Sequence, residues 1–476
     1  VIEKEESRAQ KLQKELSLPK KSAWERLEAG EKERVFTFAE GYKVFLSRAK
    51  TEREAARAVL EAARGRGFTS LMDLPAAQGL KPGSRFFLSW RDKVVLLGVM
   101  GTTPLEEGVR LVGAHVDAPR LDLKPMPLYE KDGLAMFKTH YYGGIKKYQW
   151  TALPLALHGV IMLRDGRRIE VVIGEDPGDP IFSVSDLLPH LAKEQMKKNM
   201  EEALSGDDLN LVVGSLPFEG DDELKEKIRL ATLQLLNQRY GLVEEDFITA
   251  ELELVPAGPA RDLGFDRSLV GAYGQDDRVC GYTALQAILE LENPLHTALV
   301  LLVDKEEIGS TGNTGAHSRF LEYALTEMAA RTNKPGFFNV GRIMANSQAI
   351  SADVTAGVDP TYENVFDMHN ASLMGHGVVL NKYSGSRGKY DANDASAEFM
   401  GRLRDIFNRQ HVIWQSGEMG KVDAGGGGTI AKFLAYFGLD VADCGPALLS
   451  MHAPLEIASK VDVYMAYRAY GAFLAS

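Results

Sequence analysis

The chain has 476 residues, 45% hydrophobic and 25% charged, enough to bury a large core and to divide into two or three domains. Its 55 Lys and Arg against 66 Asp and Glu leave a formal net charge of -11 with no basic tract, which speaks against nucleic acid as a partner. Cys280 and Cys444, the only cysteines, lack C-x-x-C spacing; they offer neither a disulfide framework nor a thiolate metal site and fit a reducing compartment.

Residues 1–34 are dominated by Lys, Glu, Arg and Gln, without the apolar core of a secretory leader, and predict a solvated amphipathic helix. No stretch approaches 18 uninterrupted apolar residues, so the expectation is a cytoplasmic protein with no membrane partner. Residues 31–65 carry a helical pattern that closes on Arg64-Gly65-Arg66-Gly67. Residues 86–90, 94–99 and 109–114 are short β-rich runs, read as successive strands of one sheet. Strands at 155–163 and 169–173 are joined by a hairpin turn, Arg164-Asp165-Gly166-Arg167; a Pro/Gly/Asp stretch at 174–180 follows, and then helices. Beyond residue 260 a helix (279–291), a buried strand (297–304) and a helix (315–331) open a sustained alternation. The fold class is therefore α/β. A mixed-sheet α/β/α domain is built from residues 1–120 and 264–476, interrupted by a β-rich insertion at 121–263.

Five segments carry the chemistry. In Gly113-Ala114-His115-Val116-Asp117, the i, i+2 spacing on a strand puts both polar side chains on one face, so His115 can bind a metal while Asp117 fixes its ring. Alone, the string is more often a strand-end histidine in a polar turn. Gly274-Gln275-Asp276-Asp277 leads into an apolar helix; acids near a helix start are favoured by the dipole, and one held on a rigid turn can also bridge two cations. The sharpest signal is Asp304-Lys305-Glu306-Glu307 after a wholly apolar run, at the strand edge where open α/β sheets bind ligands. Adjacent Glu306 and Glu307 point different ways, so one can coordinate metal while the other handles a water proton. Asp353, in Ser351-Ala352-Asp353, and His452, in Ser450-Met451-His452, each follow an apolar run and complete a mixed N/O donor set suited to zinc, manganese or cobalt. The glycine run Asp423-Ala424-Gly425-Gly426-Gly427-Gly428-Thr429 is read as opening a helix; it lacks a Walker pattern and is either a close-approach wall for substrate, with Gly427 at its centre, or a flexible turn.

These segments, in this order and over nearly the whole chain, resemble the aspartyl aminopeptidase family of co-catalytic metallopeptidases. The resemblance implies a zinc-aminopeptidase catalytic domain and an inserted domain for dimerisation and higher assembly. It implies two divalent cations per subunit, zinc foremost, with His115, Asp276 and Asp353 on one and Asp276, Glu307 and His452 on the other. Asp276 then bridges, Asp117 supports His115 and Glu306 is the general base: a shared water gives it a proton, attacks the scissile carbonyl, and the proton passes to the leaving amine. A cation holding the substrate's α-amino group restricts cleavage to peptides with a free N-terminus. The family often has a cis peptide after the bridging acid, here between Asp276 and Asp277. His190 resembles a histidine that reaches a neighbouring subunit's site, and the implied assembly is a homo-oligomer, a tetrahedral dodecamer. Residues 380–395 and 417–429 depart from the eukaryotic members, and Lys389 or Lys382 stands as a partner for an acidic substrate side chain. A two-metal carboxypeptidase or amide deacylase, and a non-catalytic metal-bearing scaffold, are the alternatives.

Overall fold

Alternation inside one strand sets the architecture. Thr297–Val303 is buried at every position. Leu299, Leu301 and Val303 pack into one apolar cluster, and Ala298, Val300 and Leu302 into another. A strand covered on both faces belongs in the middle layer of a three-layer sandwich, which is why it reads as a continuous apolar run. The computed structural model describes residues 7–18, 21–74, 79–220, 223–332 and 339–476.

The middle layer is a nine-stranded mixed sheet. At its centre Thr297–Val303, Val109–His115, Gln348–Ser351 and Asp440–Gly445 run parallel, so their C-terminal ends share one edge. His115 lies beside Val303, and Gly113 beside Ser351. The helices Glu31–Arg48, Glu52–Gly65, Gln275–Glu290, Ala397–Arg409 and Lys460–Leu474 cover one face. Phe320–Ala330, Val340–Ala345 and Ala431–Tyr436 cover the other.

A seven-stranded antiparallel sheet takes all its strands from between Arg120 and Pro256 and closes over its own apolar cluster. Its hairpin pairs Met162 with Arg168 across the expected turn. A third sheet of five short strands includes Arg261–Leu263, Leu269–Ala272, Ala447–Leu449 and Glu456–Ser459. It stands next to the C-terminal edge of the main sheet and supplies the other half of the site described below.

Three expectations shift. The 31–65 helix is two helices, because Thr51 begins the second with a reciprocal capping box to Glu54. The 315–331 helix starts only at Phe320, since residues 314–317 bond back to the strand end through Asp304 N–H to the Thr314 carbonyl and His317 N–H to the Ser310 carbonyl. The N-terminal segment is helical at Arg8–Leu16, while residues 1–6 and 19–20 lie outside the described residues. No described helix is long and apolar enough to cross a membrane, and both cysteines are free and buried.

Replacing Leu299 by Ala leaves a cavity between the main sheet and the helices on that face and should cost about 2–5 kcal/mol. Thermal inactivation of L299A should fall several degrees below wild type, with L216A, at a side chain 74% exposed, as the unshifted control; equal midpoints for both would contradict the three-layer core.

Candidate active site

The strand carrying His115 ends at that residue, and the chain turns so that Asp117 is fully buried. Asp117 Oδ1 accepts the Glu306 N–H at 2.9 Å; Oδ2 accepts the Glu307 N–H at 3.2 Å and the Tyr142 hydroxyl at 2.8 Å. Its carboxylate therefore pins the Glu306-Glu307 turn to the His115 strand. The expected carboxylate-to-imidazole contact is 3.6 Å, longer than a hydrogen bond, whereas the Asp117 carbonyl lies 3.3 Å from His115 Nδ1. The turn itself is framed by Lys305 at φ 70° and Gly309 at φ 94°.

Asp276 and Asp277 occupy the first turn of the helix Gln275–Glu290, and the bond between them is trans, contrary to the cis bond the resemblance implied. A residue that sequence reasoning missed sets their position. Glu456, buried, accepts the backbone N–H groups of Gln275 and Asp276 through Oε2 and that of His452 through Oε1. One carboxylate thus ties the helix start to the His452 turn, whose backbone is left-handed at φ 63°. His452 Nδ1 lies 2.9 Å from the Gly144 carbonyl, so the proton belongs on that nitrogen. Nε2 faces Asp276 at 3.1 Å and Glu307 at 3.2 Å. His115 repeats the arrangement, with Nδ1 toward a backbone carbonyl and Nε2 3.6 Å from Asp353.

Five of the expected residues converge. Donor atoms of His115, Asp276 and Asp353 lie within 4.8 Å of one another, as do those of Asp276, Glu307 and His452, and Asp276 belongs to both groups. The crowding shows in the acid–base properties. Burial raises Glu306 well above the ordinary carboxylate range, Asp353 and Glu307 add to the shift, and His115 opposes it. Burial likewise raises Glu307 and Asp353, each offset by its histidine partner. Burial and the charges of Asp276 and Glu307 push Asp277 well up; neither of its oxygens has a hydrogen-bond partner. Burial disfavours charge on His115, but Asp117 and Asp353 outweigh it and raise its pKa.

The groups open into a cavity of about 550 Å³ that Lys389 and Gly427 also line. Lys389 Nζ is already engaged, 2.8 Å from Asp394 Oδ2 and 3.9 Å from the centre of the Tyr383 ring. Lys382 faces a second cavity instead. The glycine run is not a helix start: helix begins only at Ala431, and residues 425–429 form a coil wall in which Thr429 donates to Asp443 at 2.7 Å. Burial lifts Asp443 to about 6. His190 sits exposed on a turn beyond the strand Ser183–Val184 and does not line this cavity. Besides Glu456, sequence reasoning missed Tyr142 and Gly144. The Tyr-Tyr-Gly-Gly string at 141–144, a strand end breaking into paired glycines, was the available signal.

Residues 45–474 match the model of the aminopeptidase I zinc metalloprotease (M18) family. A probable M18 family aminopeptidase 1 of Clostridium acetobutylicum is 47% identical over 455 residues, covering 95% of this chain and 98% of that one. The crystal structure of an M18 aminopeptidase from Thermotoga maritima superposes with a TM-score of 0.91 at 46% identity, over 96% of this chain and 99% of the other. The yeast mApe1 dodecamer, 20% identical over 91% of this chain and 95% of its own, has the same fold at a TM-score of 0.74. The mixed α/β architecture is thus that of the M18 enzymes, and their activity replaces the carboxypeptidase, deacylase and scaffold alternatives. The chain belongs to the M18 family of zinc metalloproteases and is a metal-dependent aminopeptidase.

Proposed function

We propose that the enzyme hydrolyses the peptide bond after a free N-terminal residue with two divalent cations per subunit and Glu306 as general base. The observation that carries this reading is the pair of three-residue donor sets sharing Asp276. The donors fit zinc: each set joins one imidazole to two carboxylates, and the Nδ1 contact to the Gly144 carbonyl leaves Nε2 of His452 as the nitrogen an ion would take, facing the carboxylates. His115, Asp276 and Asp353 would hold one ion, and Asp276, Glu307 and His452 the other. Zinc bound there supplies Lewis acidity and makes water a nucleophile near neutral pH.

The chain's own residues do the rest. The Glu306 side chain lines the cavity with no hydrogen-bond or ion-pair partner among the described residues, so it is free to take the attacking water's proton and return it to the leaving nitrogen. Asp117 holds the Glu306 amide and so aims that carboxylate. The carboxylates crowding the cavity favour an ammonium group, which selects the amino end of a peptide.

For assembly, the reading is a homo-oligomer built through the 121–263 insertion between the catalytic segments 1–120 and 264–476. Support comes from exposed Ile181, Leu187, Leu188 and Leu191 around His190, an apolar surface suited to a second copy, and from the dodecameric state of the yeast protein. In that arrangement His190 enters a neighbour's cavity.

Four outcomes are expected. Glu306→Gln should lower kcat at least about a hundredfold with metal content unchanged, and N-acetylated peptides should resist the wild-type enzyme; loss of metal from E306Q would instead make Glu306 a ligand. Anomalous diffraction should give two peaks about 3.5–4 Å apart in each subunit, and a single peak would sink the two-ion reading. His190→Ala should depress kcat while light scattering records an unchanged multi-subunit mass; full activity, or a monomeric wild type, would remove His190 from catalysis.

A further inference from the structure

Next to the catalytic cavity lies a second one, of about 530 Å³. Tyr383 and Glu418 line both, and the Tyr383 hydroxyl donates to the Glu418 carboxylate, so this pair forms a shared wall. The balance of lining charge differs across it: the catalytic cavity sets Asp276, Glu306, Glu307, Asp353, Glu418 and Asp443 against Arg387, Lys389 and Lys421. Arg26, Lys382, Arg404 and His369 face the second cavity, and Glu418 is its one acidic lining residue. Such a concentration of cations is notable in a chain of net charge -11. Arg26 and Lys382 have no ion-pair or side-chain hydrogen-bond partner among the described residues. Arg404 reaches only its exposed neighbour Asp405, at 3.3 Å. Trp414, Gln415, Asn370, Asn408 and Ser416 are among the remaining lining residues; the Gln415 amide is committed to the Leu373 and Gly377 carbonyls at 2.7 and 3.1 Å, and the Asn370 amide to Asp367 at 2.8 Å. Arg26, Lys382 and Arg404 are therefore the charged groups left to meet a ligand, with the Ser416 hydroxyl and the Asn408 amide beside them.

We infer that this second cavity receives a carboxylate of the bound peptide downstream of the scissile bond, either the terminal carboxylate of a short peptide or an acidic side chain. The inference rests on the aminopeptidase reading and extends it. A short peptide is dipolar: its ammonium end suits the acid-lined cavity, and its carboxylate suits the base-lined one across the shared wall. Each extended residue spans about 3.3–3.6 Å, so only peptides of certain lengths bring the two ends to the two cavities together. Arg26, Lys382 and Arg404 do not touch the reacting atoms; they set which peptides bind well.

The test uses the metal-loaded, assembled enzyme and alanine-based peptides of three to six residues with a neutral N-terminal residue. Each is assayed as free acid, as C-terminal amide, and as amide with one Asp placed downstream. At one or two lengths the free acid, or the Asp amide, should exceed the plain amide at least about fivefold in kcat/KM through a lower KM, and the matching arm identifies the source of the carboxylate. Lys382→Gln combined with Arg404→Gln should reduce that ratio to near one. Acid, amide and Asp amide handled alike at every length would overturn the inference, as would a ratio unchanged in K382Q/R404Q. Failure of the wild type to cleave any of these peptides, acid or amide, would overturn the aminopeptidase reading instead, so the two failures are separable.

Discussion

The constraint on which the rest depends is the mutual repulsion of carboxylates enclosed at one sheet edge. Asp117, Asp276, Asp277, Glu306, Glu307, Asp353 and Glu456 all stand within a few residues of the site, and burial raises the pKa of most of them. The fold sorts them by partner. Asp117 and Glu456 spend their oxygens on backbone N–H groups, which stabilise a carboxylate without adding a mobile charge. Asp276, Glu307 and Asp353 turn toward histidine ring nitrogens and one another, leaving a cluster that a cation neutralises. Glu306 takes neither course and faces the open cavity. Neighbouring acids of the same type thus acquire three different jobs from their surroundings alone.

The same sorting explains why the site needs three sheets. Parallel strands of the main sheet bring His115, the Glu306-Glu307 turn and Asp353 to one edge. The small sheet carries Asp276 and His452 on its connections, clasped by Glu456. The large antiparallel sheet adds the Tyr142 hydroxyl on Asp117 and the Gly144 carbonyl on His452. Side chains at the paired glycines would intrude here. A Cβ on Gly143 would stand 3.2 Å from Glu307 Oε2, and one on Gly144 3.3 Å from His452 Nδ1. Residues at the end of the large antiparallel sheet therefore help to orient His452, on a connection of the small sheet.

The main sheet was legible because its central strands are buried on both faces, and unbroken apolar runs ending in His or Glu leave little choice of structure. His115, Glu307, Asp353 and His452 could be read because each follows an apolar run, whereas Asp276 stood out as an acid in a polar turn leading into an apolar helix. The long hairpin Arg120–Lys131 and Leu134–Tyr142 could not be read, because Pro125 and Pro127 interrupt it and its register shifts between Leu123 and Leu128. Glu456 gave no signal either, since its partners are backbone amides as far as 181 positions away, and a backbone amide has no letter in the sequence. The glycine run at 425–428 misled because a helix does follow it; the coil persists to Thr429, whose hydroxyl serves Asp443 before the helix begins.

Charge arranged for catalysis also bears on stability. A buried carboxyl group without a hydrogen-bond partner is among the costlier features a core can hold, and Asp277 is one, with Arg278 at 3.8 Å and His115 at 4.0 Å its nearest cations. Such a group survives only where its surroundings over-determine the structure, and here the packed helix Gln275–Glu290, buried along nearly its whole length, does so. Cations bound by the neighbouring donor sets would convert the local field from repulsive to attractive and add their binding energy to the folded state alone. The edge that performs the chemistry is thus least favourable electrostatically without its metal, and the apolar layers behind it supply the cohesion that keeps the donors in place until the metal arrives.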